Sequence, residues 1–193
     1  MEKIILKSIT ESVNAKTALL SNDEFTEDIK RIINVITNSF KSKKKLMLCG
    51  NGGSAADAQH IAAELSGRFY FDRAPLDAEA LHVNASYVTA VANDYSYDVI
   101  YSRMVEAKAQ KGDVLIAIST SGNSPNVVKA VEKAKELGVI TIGFTGEKGG
   151  ELAKLCDYCL KAPSNDTPRI QECHILFGHI ICEIVEEQLF KQA

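Results

Sequence analysis

Twice along this chain a short apolar run gives way to a polar, glycine-bearing loop and then to a helix, and a chain built this way has few folds open to it. The first unit is Leu-Met-Leu-Cys at 46–49, then Gly50-Asn51-Gly52-Gly53, then an alanine-rich stretch of high helical propensity. The second is Val114–Ile118, rich in β-branched residues, then Ser119-Thr120-Ser121-Gly122-Asn123-Ser124-Pro125, then a helix from Pro125 to about 137. Gly138 ends that helix, residues 139–144 read as the next strand, and residues 156–161 read as the last. Strands and helices that alternate in this way demand a parallel sheet covered on both faces. The expected class is therefore α/β, a doubly wound parallel sheet of roughly five strands flanked by helices.

Each loop carries chemistry. Gly50, Gly52 and Gly53 permit a tight backbone path, and Ser54 is placed to cap the following helix. A glycine turn between a strand and a helix N-terminus presents free N–H groups to an anionic or polyhydroxylated ligand. Further along the same helix, His60 and Glu64 are four residues apart and project from one face. An imidazole and a carboxylate at that spacing can bind one metal ion, or act as acid and base over one substrate. They follow a strand's C-terminal end, where open α/β sheets bind ligands. In the second loop, the hydroxyls of Ser119, Thr120, Ser121 and Ser124 gather beside a helix that begins with proline. That density of hydroxyls, with Gly122, exceeds what capping needs and suits phosphate oxygens.

The last helix, Thr167–Phe190, carries Arg169, Gln171, Glu172, His174 and His179 on an otherwise largely apolar sequence. Gln171 and His179 fall about 80° apart around the axis and can reach one site from the same side. His174 falls about 140° from His179, so the two histidines are not expected to share a site.

Between these units, residues 78–83 read as a second strand with Asn84 as a helix cap, and helices are expected over 86–93 and 97–109. Asn93-Asp94-Tyr95 places two polar side chains in the turn between them. Ahead of the α/β part, Glu2–Leu20 and residues 25–40 form a helical hairpin with apolar stripes, including Ile5, Leu6, Ile9 and Val13. Packing against another subunit would bury the first stripe. The chain of 193 residues reads as one domain, with the hairpin at 1–42 and the α/β core and last helix at 43–193.

A hydrophobic content of 46% and a net charge of −3 describe an ordinary globular protein without a nucleic-acid footprint, so anion binding has to be local. No apolar run of membrane-spanning length and no secretory leader pattern is seen, which sets the expectation of a cytoplasmic protein. An odd number of cysteines, Cys49, Cys156, Cys159, Cys173 and Cys182, argues against a disulfide framework. The Cys156-x-x-Cys159 pair is expected to be buried and reduced.

The Cys-Gly-Asn-Gly-Gly-Ser-Ala loop with His60 and Glu64, Ala-Asn-Asp-Tyr at 92–95, Ser-Thr-Ser-Gly-Asn-Ser at 119–124, and Arg-Ile-Gln-Glu-x-His at 169–174 with His179 occur in this order. Together they closely resemble the phosphoheptose isomerases of the sugar-isomerase (SIS) domain superfamily, over essentially the whole chain. The resemblance implies an SIS-type sheet, a homotetramer with active sites at subunit interfaces, and conversion of sedoheptulose 7-phosphate to D-glycero-D-manno-heptose 7-phosphate. It implies that Ser119, Thr120, Ser121 and Ser124 hold the phosphate, and that Asn51, Gly52, Gly53, Asn93 and Asp94 line the sugar, with Arg68 also in contact. It implies zinc in each subunit at His60, Glu64, Gln171 and His179, with Glu64 and His179 as the acid–base pair and with Glu64 and Gln171 also touching substrate. A non-catalytic relative of this superfamily, the tetrameric factor that binds the bacterial replication initiator, is the alternative. It lacks His at the position of His179 and has Arg in place of Ser121, so this chain is expected to be the enzyme.

Overall fold

The computed structural model describes residues 1–191. Five strands form one parallel sheet: β1 (Leu46–Gly50), β2 (Ala78–Ala80), β3 (Val114–Ile118), β4 (Ile140–Thr145) and β5 (Tyr158–Lys161), in the order β2-β1-β3-β4-β5. The chain leaves β1 in one direction to add β2 and in the other to add β3. The crevice between the C-terminal ends of β1 and β3 is therefore the point at which the winding reverses, where doubly wound folds hold their ligands. Both glycine-bearing loops open there.

Among the described residues, eight α-helices flank the sheet: α1 (Glu2–Leu20), α2 (Asp23–Lys41), α3 (Gly53–Ser66), α4 (Ala85–Asp94), α5 (Ile100–Lys108), α6 (Pro125–Glu136), α7 (Leu152–Leu155) and α8 (Thr167–Phe190). Alternation along the central strands divides the core in two. Leu46, Leu48, Val114, Ile116 and Ile118 face α2, α3 and α8, packing with Ile32, Ile36, Ile61, Leu65, Phe177 and Ile181. Met47, Cys49, Leu115 and Ala117 face the opposite layer, with Tyr101 and Val105 of α5, Val127 and Val131 of α6, and Leu152 of α7. Burial on both faces is why β1 and β3 read as unbroken apolar runs.

Several boundaries differ from the sequence expectation, each for a local reason. Strand β2 ends at Ala80 instead of 83, because an edge strand has one partner only, and after Leu81 N–H reaches Leu48 O (2.9 Å) the chain turns toward α4. Strand β5 begins at Tyr158 instead of 156. Cys156 closes α7 with its N–H on Leu152 O, and the Asp157 carboxylate accepts from both the N–H and hydroxyl of Thr141 (2.8 Å each). Ser54 lies buried inside the first turn of α3, and the cap position falls to Gly52. The helix expected over 97–109 is a 3₁₀ turn (Tyr97–Val99) followed by α5. Asn84 caps α4 as expected, its side-chain oxygen accepting from Tyr87 N–H at 3.0 Å. No helix among the described residues is long and apolar enough to cross a membrane.

Candidate active site

The contact that builds the site is the crossing of α3 over α8. Ile61 of α3 is fully buried, and a Cβ on Gly178 would lie 2.5 Å from its Cγ1, so the two helices approach as closely as a glycine allows. The neighbours of this contact in each helix are the two candidate histidines. His60 Nε2 stands 3.2 Å from His179 Nε2 across a sequence separation of 119 residues, with the rings 5.2 Å apart. One turn on, Glu64 Oε1 is 3.2 Å from the same His60 nitrogen. Higher on α8, the Gln171 side-chain amide fills the space a side chain at Gly53 would need, which places it against the glycine loop. His60, Glu64, Gln171, His179 and Gly53 are thus brought together by one helix pair. His174 points the other way, buried with its Nε2 3.0 Å from Thr145 O.

The two imidazoles remain partly open to solvent, and their facing nitrogens need a proton or a cation between them, since two lone pairs do not attract. Two nitrogens bound to a tetrahedral zinc at about 2.05 Å each are about 3.3 Å apart. The observed spacings of 3.2 Å for His60–His179 and for His60–Glu64 match that edge, and a nitrogen–oxygen set suits zinc. Among the described residues, no group of three or more His, Cys, Asp or Glu side chains closes around a common point, so the three approach pairwise.

The glycine loop is braced from the far side of the crevice. Asn51 and Asn126 exchange two hydrogen bonds (2.8 and 2.9 Å), and Tyr97 donates its hydroxyl to the Asn51 side-chain oxygen at 3.1 Å. With that oxygen doubly engaged, Asn51 has one amide N–H left to offer a ligand. Asn126, buried at the second residue of α6, ties this loop to the hydroxyl loop directly before it. There Ser119 Oγ lies 2.9 Å from Ser124 Oγ and 3.4 Å from Ser121 Oγ. Gly122 takes a left-handed φ of 68° while its Cα face presses on the Gly149 carbonyl, a geometry closed to any side chain. Three hydroxyls therefore converge at the start of a helix whose first N–H groups carry partial positive charge.

Other expected residues sit apart from this cluster. Asn93 and Asp94 are exposed at the end of α4, with the Asn93 amide donating to Asp94 at 2.9 Å, and Arg68 is exposed on the connection after α3. Four residues that sequence reasoning did not single out touch the site: Asn126, Tyr97, Arg73 and Asp57. Asp57 shares a face with His60 and Glu64 at spacings of three and seven, a signal readable from the sequence. Its carboxyl is pushed up by burial, offset in part by His60, and one of its oxygens is buried without a partner.

Known proteins resemble this chain along nearly its whole length. Residues 11–146 match the SIS domain family. The chain is 52% identical over 190 residues to the phosphoheptose isomerase of Clostridium acetobutylicum, spanning 98% of this chain and 97% of that protein. It is 49% identical to that of Aneurinibacillus thermoaerophilus, spanning 99% and 96%. Among solved structures, the phosphoheptose isomerase of Neisseria gonorrhoeae superposes with a TM-score of 0.90 at 38% identity, over 96% of this chain and 98% of that one. With a family match over most of its length and relatives of this identity along nearly all of it, the chain belongs to the phosphoheptose isomerases of the SIS domain family.

Proposed function

We propose that this protein is the aldose–ketose isomerase that converts D-sedoheptulose 7-phosphate to D-glycero-D-manno-heptose 7-phosphate, an early step towards nucleotide-activated heptoses. The observation that carries the reading is the meeting of His179 with His60, itself beside Glu64, across the α3–α8 crossing, next to the glycine loop and one crevice away from the hydroxyl loop. The relatives at 49–52% identity bear the isomerase name, and no observation favours the non-catalytic alternative.

In this reading Ser119, Thr120, Ser121 and Ser124 hold the phosphate with the first N–H groups of α6. Asn51, Gly52 and Gly53 line the sugar chain with Asn93, Asp94 and Arg68, and Gln171 reaches it from α8. A carboxylate and an imidazole then flank C1 and C2. One removes a proton from C1 of the open-chain ketose, leaving an enediol. A proton returned to C2, with transfer of the hydroxyl proton from O1 to O2, completes the aldose. Glu64 and His179 fill those two roles, and neither needs a cosubstrate because the reaction is redox-neutral within one molecule. A zinc ion would be held by His60, Glu64, Gln171 and His179, and would polarise the carbonyl oxygen when bound.

The assembly is a homotetramer with sites at the subunit junctions. Support comes from α1, where Ile5, Leu6, Ile9 and Val13 are all more than half exposed. An apolar groove of Val13, Leu19, Leu20, Phe25, Leu176 and Ile180 adjoins this stripe. A second copy would cover both. The enzyme works in the cytoplasm, without nucleic acid or membrane.

The test is turnover of sedoheptulose 7-phosphate by purified protein, alongside Glu64→Gln and His179→Gln, with zinc content measured in each. Formation of the aldoheptose phosphate by wild type and its loss in both folded variants supports the reading. Binding of the phosphosugar by zinc-loaded wild type without conversion overturns it.

A further inference from the structure

Seven residues beyond His179, about 20° from it around the helix, α8 carries Glu186, fully buried. Its two oxygens accept four hydrogen bonds. Oε1 takes Phe69 N–H (2.9 Å) and Arg73 Nε (2.8 Å), and Oε2 takes Tyr70 N–H (2.6 Å) and Phe71 N–H (3.1 Å). Arg73, itself nearly inaccessible, spends its remaining donors on the end of α3 and on the Ala74 carbonyl (3.1 Å). Nη2 reaches the carbonyl of Glu64 (3.0 Å), and Nη1 reaches those of Leu65 (2.8 Å) and Gly67 (3.1 Å). These carbonyls lie at the C-terminal end of α3, where no intrahelical N–H reaches them, and the guanidinium meets all three. The bonds to Phe69 also hold its ring against His179, with centroids 5.9 Å apart.

We infer that Glu186 and Arg73 are positioning residues for the acid–base pair: the buried ion pair ties the last turn of α3 to α8, and so sets where Glu64 and His179 stand relative to one another. The inference rests on the isomerase reading. Burial pushes the Glu186 carboxyl up, but the three backbone N–H groups and Arg73 outweigh it and hold the group below the usual carboxylate range, so the pair is charged at neutral pH. A buried ion pair is poor value as a stabiliser, since desolvation offsets much of its attraction. Its bonds fall on the Glu64 carbonyl and on the residue packed against His179, where a displacement of about 1 Å is enough to lower turnover about a hundredfold.

Glu186→Gln keeps the shape but turns one acceptor oxygen into a donor facing N–H groups, and Arg73→Lys keeps the charge but loses the fork that reaches three carbonyls. Each variant is compared with wild type by steady-state kinetics, by thermal melting, and by the NMR resonances of the His60 and His179 rings in protein as purified. The expected result is a kcat lowered about 10- to 100-fold with KM within about threefold, and displaced resonances of both rings, in variants still folded at the assay temperature. Folded variants with a lowered melting point but wild-type kcat and ring resonances would overturn the inference. If Glu186→Gln does not fold, Arg73→Lys decides by the same criteria. If wild type does not turn over the heptulose phosphate, the isomerase reading falls, and the ring resonances alone decide whether the pair positions the histidines.

Discussion

Gly178 and Ile61 set the distance between the two helices that bear His179 and His60, each lying next in sequence to one of these facing histidines. A methyl group at 178 has no room, because Ile61 is fully buried and cannot swing aside. Gly178→Ala is therefore expected to cost about 1–3 kcal/mol of stability through overpacking, although alanine is the better helix former. It should also lower kcat by parting His60 from His179. A double-mutant cycle with Ile61→Ala checks the cause. The alanine at 178 should cost less when Ile61 has been truncated, and purely additive effects would place the strain elsewhere.

The hydroxyl loop makes a separate prediction. Ser119 and Ser124 share a hydrogen bond at 2.9 Å, so each oxygen is held where a phosphate oxygen could take over that partner. Ser124→Ala should weaken binding of the heptose phosphate by about tenfold, equivalent to about 1.4 kcal/mol, and leave kcat at saturation nearly unchanged. Competition by inorganic phosphate should weaken in parallel. A variant in which kcat falls while phosphate competition is untouched would assign Ser124 to the reacting end of the sugar.

The parts of this protein that a reader can take from the sequence are those governed by local rules. The period of β1 and β3, the cap at Asn84, the four-residue spacing of His60 and Glu64, and the divergence of His174 from His179 all follow from residues within a few turns of one another. The four cluster members Gln171, His179, His60 and Glu64 could be proposed from helix geometry and resemblance. Glu186 could not, because its partners Phe69 to Arg73 lie more than a hundred residues away in a connection without periodicity. Asn126 is not legible either, since its partner Asn51 is 75 residues distant and an asparagine after Pro125 reads as an ordinary first-turn residue. The end of β2 is not legible because the apolar pattern continues to Val83, whereas the ladder stops at Ala80, two residues before β1 itself ends, where the chain turns away after Leu81.

His174 links the same helix to acid stability. It is fully buried, bonded to Thr145 O and packed near Phe144 and Phe177, and burial lowers its pKa from 6.5 to about 4, against a smaller upward pull from that hydrogen bond. Between those two values the unfolded chain binds a proton that the folded protein refuses. Stability should fall as the pH drops below 6.5 and level off below about 4, for a total of about 3 kcal/mol from this residue. Urea unfolding across that range, with His174→Phe alongside, isolates the contribution. The difference between the two proteins should change by about 1.4 kcal/mol per pH unit within the window and be flat above it. An equal slope in both would mean that other groups carry the acid sensitivity.

Metal removal tests the donor set at the helix crossing. His60 and His179 face each other at 3.2 Å, and Glu64 stands at the same distance from His60. With a cation bound, both nitrogens are acceptors and neutral; without it, one ring must donate to the other or both must move apart. Dialysis against a strong chelator should therefore remove zinc in proportion to lost turnover, and added zinc should restore both. His60→Asn should lower zinc content even in protein never exposed to chelator, because it removes the imidazole that stands 3.2 Å from both Glu64 and His179. The ring resonances of His179 should shift on zinc addition in wild type and stay in place in the variant. Full turnover in protein stripped of metal would leave the proton transfers to Glu64 and His179 alone, and would make the facing histidines a hydrogen-bonded pair.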